Sequence, residues 1–241
     1  ARRHADIQAL LPYLSNVDVT VRYEREESVL DTPPIQALDE VARIVVALAD
    51  GHHDQVNQLL PQLLAHPAWQ VTPIELWRLS LDAYTNRQQW LEVMATTPRF
   101  VPIYEWLLKQ AEQSKTSALE PMVDQLIGKQ EDEAETSPYY RYFFSAELLA
   151  KDPTLYMQYL SSLRALRSRL REYMPDTAVT LKNLIDFIDL HRRLNVTIMS
   201  HQFSLASDVP AVQLLTAHKS KGLEFATVYV INSIDSSWGQ G

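Results

Sequence analysis

From about residue 52 to residue 200 the apolar side chains recur three and four positions apart almost without a break. That regularity admits little besides packed amphipathic helices. The clearest cases are residues 153–173, striped by Tyr156, Tyr159, Leu163, Leu166, Leu170 and Tyr173, and residues 177–194, carrying Leu181, Leu184, Ile185, Ile188 and Leu194. A further helix opens at Asp31-Thr32-Pro33-Pro34, with a cap and prolines in its first turn. Ile35, Leu38, Val41, Val45 and Leu48 stripe it as far as Gly51. Thr72-Pro73-Ile74-Glu75 and Ser117-Ala118-Leu119-Glu120 both have the spacing of a capping box. Pro61 is expected to kink or break its helix, and Trp69, Trp77, Trp90 and Trp106 are expected in the core. The acidic stretch 130–137 reads as a solvated loop. No period recurs at fixed positions, so a tetratricopeptide-like array stays secondary.

Strand-like patterning is confined to the two ends. Ile7, Leu10, Leu11 and Leu14 have helical spacing, and then Val17, Val19, Val21 and Tyr23 alternate with polar residues. Near the other end, 211–216 (AVQLLT) and 227–232 (TVYVIN) are apolar runs of strand length. Runs rich on both faces suggest a buried, parallel sheet. The expected architecture is mainly α with a small α/β part, one α/β domain interrupted by a helical insert. The expected limits are residues 1–50, 51–205 and 206–241.

Composition excludes several function classes. In 241 residues, 46% apolar and 22% charged, there is ample material for a folded core. No apolar run approaches the roughly 18–20 residues that span a bilayer, and ARRHADIQ leads into no signal-peptide core. The absence of cysteine excludes disulfides, thiolate zinc sites and iron–sulfur clusters. A cytoplasmic protein without membrane partners is expected. A net charge of −8 argues against a surface that grips nucleic acid everywhere, but leaves room for a local cationic track. The acid is clustered at Glu24–Glu27 and Glu131–Glu135.

One stretch carries chemistry. Ligands of open α/β sheets bind beyond the carboxyl ends of strands. Thr216 stands at such an end, followed by His218, Lys219 and Lys221. A hydroxyl, an imidazole and two ammonium groups can donate to phosphate oxygens, and free amides would add to the anion site if a helical turn began here. Gly222 permits a positive φ or a close approach, and Glu224 can accept from sugar hydroxyls. Phosphate and sugar together suggest a nucleotide or a nucleic acid. The competing reading is a strand, a basic solvated turn, and Leu223 and Phe225 facing the core.

The segment LLTAHKSKGLEFATVYVIN closely resembles motif V of superfamily 1 DNA helicases of the UvrD/Rep/PcrA kind, in which T-x-H-x-(A/S)-K-G-L-E-F precedes a strand. Two other stretches agree in order. Ala1-Arg2-Arg3-His4-Ala5, with Leu10 and Leu14, is similar to the arginine segment opening the second half of the second motor domain. Ser28–Leu48 is similar to the element leading into the helical insert, often called 2B. The resemblance implies an interrupted RecA-like (P-loop NTPase-type) domain with the insert between these elements and motif V. It implies an ATP-dependent helicase that couples hydrolysis to translocation on single-stranded DNA and duplex unwinding, in repair or recombination. Glu224, with Gly222 beside it, would hold the ATP ribose hydroxyls. Thr216 and His218 would face single-stranded DNA, Lys219 and Lys221 its phosphates, and Arg2 matches the family arginine. The insert would regulate movement or contact duplex DNA and repair or recombination proteins.

A motor also needs a glycine-rich phosphate loop and an Asp-Glu pair for magnesium. Five glycines placed as they are supply no such loop, and Asp39-Glu40 falls inside a helix, where it is expected to be solvated. The family's arginine-bearing motif VI is expected beyond Gly241. The expectation is therefore an excised part of a helicase, inactive alone, with ATP and Mg2+ bound by the intact enzyme. A helicase–nuclease subunit of the RecB/AddA kind is the rival within the class. A helical protein-binding scaffold with a vestigial motif V is the rival outside it. Arg164, Arg167, Arg169 and Arg171 form a basic helix flank, read as a solvated face or a contact for duplex phosphates. Tyr139, Tyr140, Tyr142, Phe143 and Phe144 are read as helix packing before a base-stacking platform. His52, His53, His66, His191 and His201 lack metal-ligand spacing.

Overall fold

The computed structural model describes residues 1, 6–7, 9–14, 21–23, 28–129, 136–174, 179–199, 211–218 and 220–234. The chain forms two compact units, one made of residues 1–26 with 204–241, the other of residues 27–203.

Among its described residues the larger unit is built of helices. Its helices, after the short helix α1 (Leu11–Leu14) of the smaller unit, are α2 (Pro33–Ala49), α3 (His53–Ala65), α4 (Pro73–Asn86), α5 (Trp90–Thr96) and α6 (Val101–Ser114). α7 (Leu119–Ile127), α8 (Pro138–Phe143), α9 (Ala146–Lys151), α10 (Pro153–Tyr173) and α11 (Leu181–Arg193) follow. α2 is the axis. It packs against α3, α6, α7, α10 and α11, and its buried face is wider than the stripe the sequence suggested. Ile44 and Ala47 are covered as fully as Leu38 and Val45, while Gln36 is exposed and Glu40 and Arg43 are half-covered on the remaining polar face. Its start is as expected, with Thr32 as the capping position and proline in the first turn. Gly51, just past its end, has φ +74 and so ends the helix cheaply.

Several local expectations need correction. α3 is not broken at Pro61; Val56 and Leu60 before it and Leu63 and Leu64 after it are all buried, and that packing outweighs the missing amide. The second capping box does not form. α7 begins at Leu119 behind Ala118, whose side chain cannot cap, and Glu120 instead takes Arg171 at 2.7 Å and Arg167 at 3.5 Å. Asp39 is buried, not solvated, and bonds Arg43 on its own helix and Arg192 on α11. Trp69 is in the core and Trp90 and Trp106 pack against it, but Trp77 is exposed. Of the acidic loop, residues 130–135 lie outside the described residues, while Thr136 and Ser137 are buried, the Ser137 hydroxyl donating to the Leu126 carbonyl.

The aromatic run packs, as expected. Tyr139, Phe143 and Phe144 are buried, and Tyr139 meets Trp69 edge to face at 5.5 Å. Burial holds the Tyr139 hydroxyl above the usual phenol range, opposed by the hydrogen bond from Trp69 Nε1 at 3.1 Å. Three arginines of the α10 flank are spent on ion pairs, Arg167 and Arg171 with α7 and Arg169 with Glu172 on its own helix, while Arg164 is exposed.

The two chain ends of the helical unit lie side by side. Ser28 and Met199 form an antiparallel bridge, and the Val29 amide donates to the Ile198 carbonyl at 2.8 Å.

In the smaller unit, β1 (Val21–Tyr23) and β2 (Val212–Leu214) pair in parallel, with Val21 opposite Val212 and Tyr23 opposite Leu214. Strands almost two hundred residues apart thus lie next to each other, as the strand-like patterning at both ends suggested. The expected strand at 227–232 is absent. Val228, Tyr229 and Val230 are exposed, and no described strand lies alongside them to complete a hydrogen-bonded ladder. The sheet has two strands among the described residues, and β2 is half-open rather than buried.

Candidate nucleotide- and nucleic-acid-binding loop

The loop 215–224 leaves the carboxyl end of β2, the edge of a parallel pair where ligands are received. Its base is anchored by the first residue of the chain. The Ala1 nitrogen donates to the Leu215 carbonyl at 3.1 Å, and the Ala217 amide donates to the Ala1 carbonyl at 2.8 Å. This exchange has the pattern of a single parallel bridge between Ala1 and Thr216, made by a segment other than β1, so the residue preceding Arg2 is fixed beside the loop. Arg2 itself and Lys219 lie outside the described residues.

The loop then folds on its own backbone. The Ser220 amide donates to the Thr216 carbonyl at 3.1 Å, and the Leu223 amide to the Ser220 carbonyl at 3.0 Å. The Lys221 amide reaches the His218 carbonyl at a long 3.5 Å. The Ser220 hydroxyl donates to the Ala217 carbonyl at 3.0 Å. Two successive turns result rather than a helix; the amides of Ser220, Lys221 and Leu223 are consumed inside the loop, and that of Ala217 by Ala1. The anion site of free helix amides that the sequence allowed is therefore reduced, and charge for a phosphate has to come from side chains. Sequence reasoning gave Ser220 no task; its hydroxyl is a brace of the loop, and its place in the A/S position of the motif was the available signal.

Gly222 has φ +85, and a Cβ built on it would meet nothing within 4 Å. Its requirement is conformational, not one of space. Thr216 is buried at the base of the loop, whereas His218, Lys221, Gly222 and Glu224 are all exposed. An imidazole, an ammonium and a carboxylate are thus displayed within seven residues at one strand tip. Leu223 and Phe225 are exposed as well, which removes the alternative in which they face the core. Among the described residues no His, Asp and Glu side chains converge as a metal site.

The described residues thus combine a two-stranded parallel edge, which carries an exposed loop of basic and acidic side chains, with a large helical unit. The family model of the UvrD-like helicase C-terminal domain matches residues 38–237, which takes in the helices from α2 onward together with the loop. The chain belongs to the UvrD-like helicase C-terminal domain family. None of the curated proteins matches it. Among the described residues no helix is long and apolar enough to cross a membrane.

Proposed function

We propose that this chain is the part of an ATP-dependent DNA helicase that closes over ATP from one side and steps along single-stranded DNA. In this reading β1, β2 and their flanking segments belong to an interrupted RecA-like motor domain, and the helical body, residues 27–203, is its insert. The bridge between Ser28 and Met199 supports an insert, because a domain that leaves and re-enters its host at adjacent points disturbs the host least.

The observation that carries the proposal is the position of this loop at the carboxyl tip of a parallel strand, with His218, Lys221 and Glu224 exposed. Glu224 accepts from the ribose hydroxyls, and Gly222 gives the turn that presents it. His218, Lys219 and Lys221, with Arg2 from the neighbouring segment, face the DNA backbone; Thr216, expected to do so, is buried and supports the loop from its base. Lys221 supplies a point charge for a phosphate, and His218 a ring N–H donor. ATP and Mg2+ serve the intact helicase; the exposed carboxylate of Glu224 fits a sugar, and the chain by itself is proposed not to turn ATP over. Its DNA partners are single-stranded and duplex, in repair or recombination, with partner proteins meeting the helical unit.

Amide NMR of the 241-residue chain tests the nucleotide half of this reading. Added ATP is expected to shift the signals of Gly222 and Glu224. Replacing ATP by its 2′,3′-dideoxy analogue, or Glu224 by Gln, is expected to remove most of that shift. Shifts confined to the helical unit, or equal shifts with the dideoxy analogue, refute the assignment of Glu224.

A further inference from the structure

α4 is apolar on two opposite faces. Leu79 and Ala83 are buried against the body of the unit, with Leu76 packed beside them. Ile74, Trp77, Leu81 and Tyr84 point the other way, and all four are exposed, Trp77 by 64% and Tyr84 by 84%. Their spacing of three, four and three residues is that of the a and d positions of a coiled coil, a seam shaped for another helix. Isolated exposed apolar residues are ordinary, but four in one register on one helix are a surface meant to be covered.

The order of residues indicates what covers it. The seam reads the same under a two-fold rotation at the level of Leu79. Ile74 then lies opposite the partner's Tyr84, and Trp77 opposite the partner's Leu81. Each layer of such an antiparallel pair matches one aromatic with one aliphatic side chain, so the layers have similar volume. A parallel pair would set Trp77 on the partner's Trp77 and Ile74 on the partner's Ile74, one layer overfull and the next thin. Charge follows the same symmetry. Arg78 and Asp82 are exposed on one flank of the seam, and the two-fold brings each Arg78 beside the partner's Asp82, giving a neutral quartet of two arginines and two aspartates. We infer that α4 is a self-docking surface, through which two copies of this chain associate by antiparallel pairing of Ile74, Trp77, Leu81 and Tyr84, locked in register by Arg78 and Asp82.

One helix face per copy is a small contact beside the roughly 1,200–2,000 Å² of stable complexes. The dimer is therefore weak and depends on concentration. Sedimentation velocity on the 241-residue chain between roughly 1 µM and 1 mM, the range of weak association, reads it directly. A monomer–dimer equilibrium is expected. It is lost in Trp77→Glu and in Tyr84→Glu, both with the helical circular dichroism of the wild type. Arg78→Asp weakens association several-fold, and the exchange Arg78→Asp with Asp82→Arg restores it. A wild-type chain that stays monomeric throughout, a dimer that survives both glutamate variants, or an exchange that fails to restore association overturns the inference.

Discussion

Asp39 lies one turn before Arg43 on α2 and is only 4% exposed. Its carboxylate accepts from Arg43 Nε at 2.8 Å and from Arg192 on α11, while Arg43 also bonds Asp189. The network ties the axis of the helical unit to its last helix. Burial works against the Arg43 charge, but Asp189 and Asp39 outweigh it and hold the guanidinium above its ordinary range. Removing one partner of a buried pair costs about 3–5 kcal/mol. The lower end applies to Asp39→Asn, because Arg43 and Arg192 are 26% and 41% exposed and can turn to water. Urea unfolding of the variant is expected to show a loss of about 3 kcal/mol. A loss below about 1 kcal/mol, the scale of exposed pairs, would mean that the pair is screened as a surface one. The sequence showed Asp39 inside a helix but not its burial, since the arginine that meets it is 153 residues away.

Among the elements, α4 has the best-formed start. The Thr72 hydroxyl accepts from the Glu75 amide at 3.3 Å, and the Glu75 carboxylate accepts from the Thr72 amide at 2.8 Å and from its hydroxyl at 2.9 Å. The Thr72 amide and hydroxyl, and then Arg99, pull the Glu75 carboxyl down to about 2. A depressed carboxylate contributes stability above its unfolded value of 4.5, and that contribution is lost as pH falls towards 2. His66 acts in the same direction: burial favours its neutral ring, so the fold weakens as pH drops below 6.5. The melting temperature is expected to fall on acidification from about pH 7 to about pH 3. Thr72→Ala should lower stability at neutral pH by about 1 kcal/mol, with a lower melting temperature, and flatten the acid limb; a limb as steep as the wild type's would exclude the box as its source. This box, the start and end of α2, and α10 over Pro153–Tyr173 were legible from local chemistry. The boxes at Gln89 and Thr180 were not, because Gln is a rare cap and Asn183 stands in for the usual acid. Trp77 and residues 227–232 misled for a shared reason. Apolar spacing marks a face to be covered, without saying whether the same chain covers it.

At the scale of the whole molecule, the division into a strand-bearing unit at the chain ends and a helical unit between them was legible in where the apolar period changed from three-and-four to alternation. The motif 216–225 was legible residue by residue, and its place at a strand tip accords with that reading. What no local pattern could show is the parallel pairing of residues 21–23 with 212–214, or the backbone of Ala1 set against Leu215 and Ala217. Both arise from long-range pairing whose register depends on the intervening fold. The central claim is that this loop meets a charged polymer backbone although the chain carries a net charge of −8. Fluorescence anisotropy of a labelled single-stranded oligonucleotide, titrated with the chain at several salt concentrations, tests it most directly. Binding is expected to weaken as salt rises, and Lys221→Ala should weaken it further and make the salt slope shallower by about 0.7, the value of one phosphate contact on a single strand. No binding at low salt, or binding whose slope is the same with and without Lys221, would contradict the account.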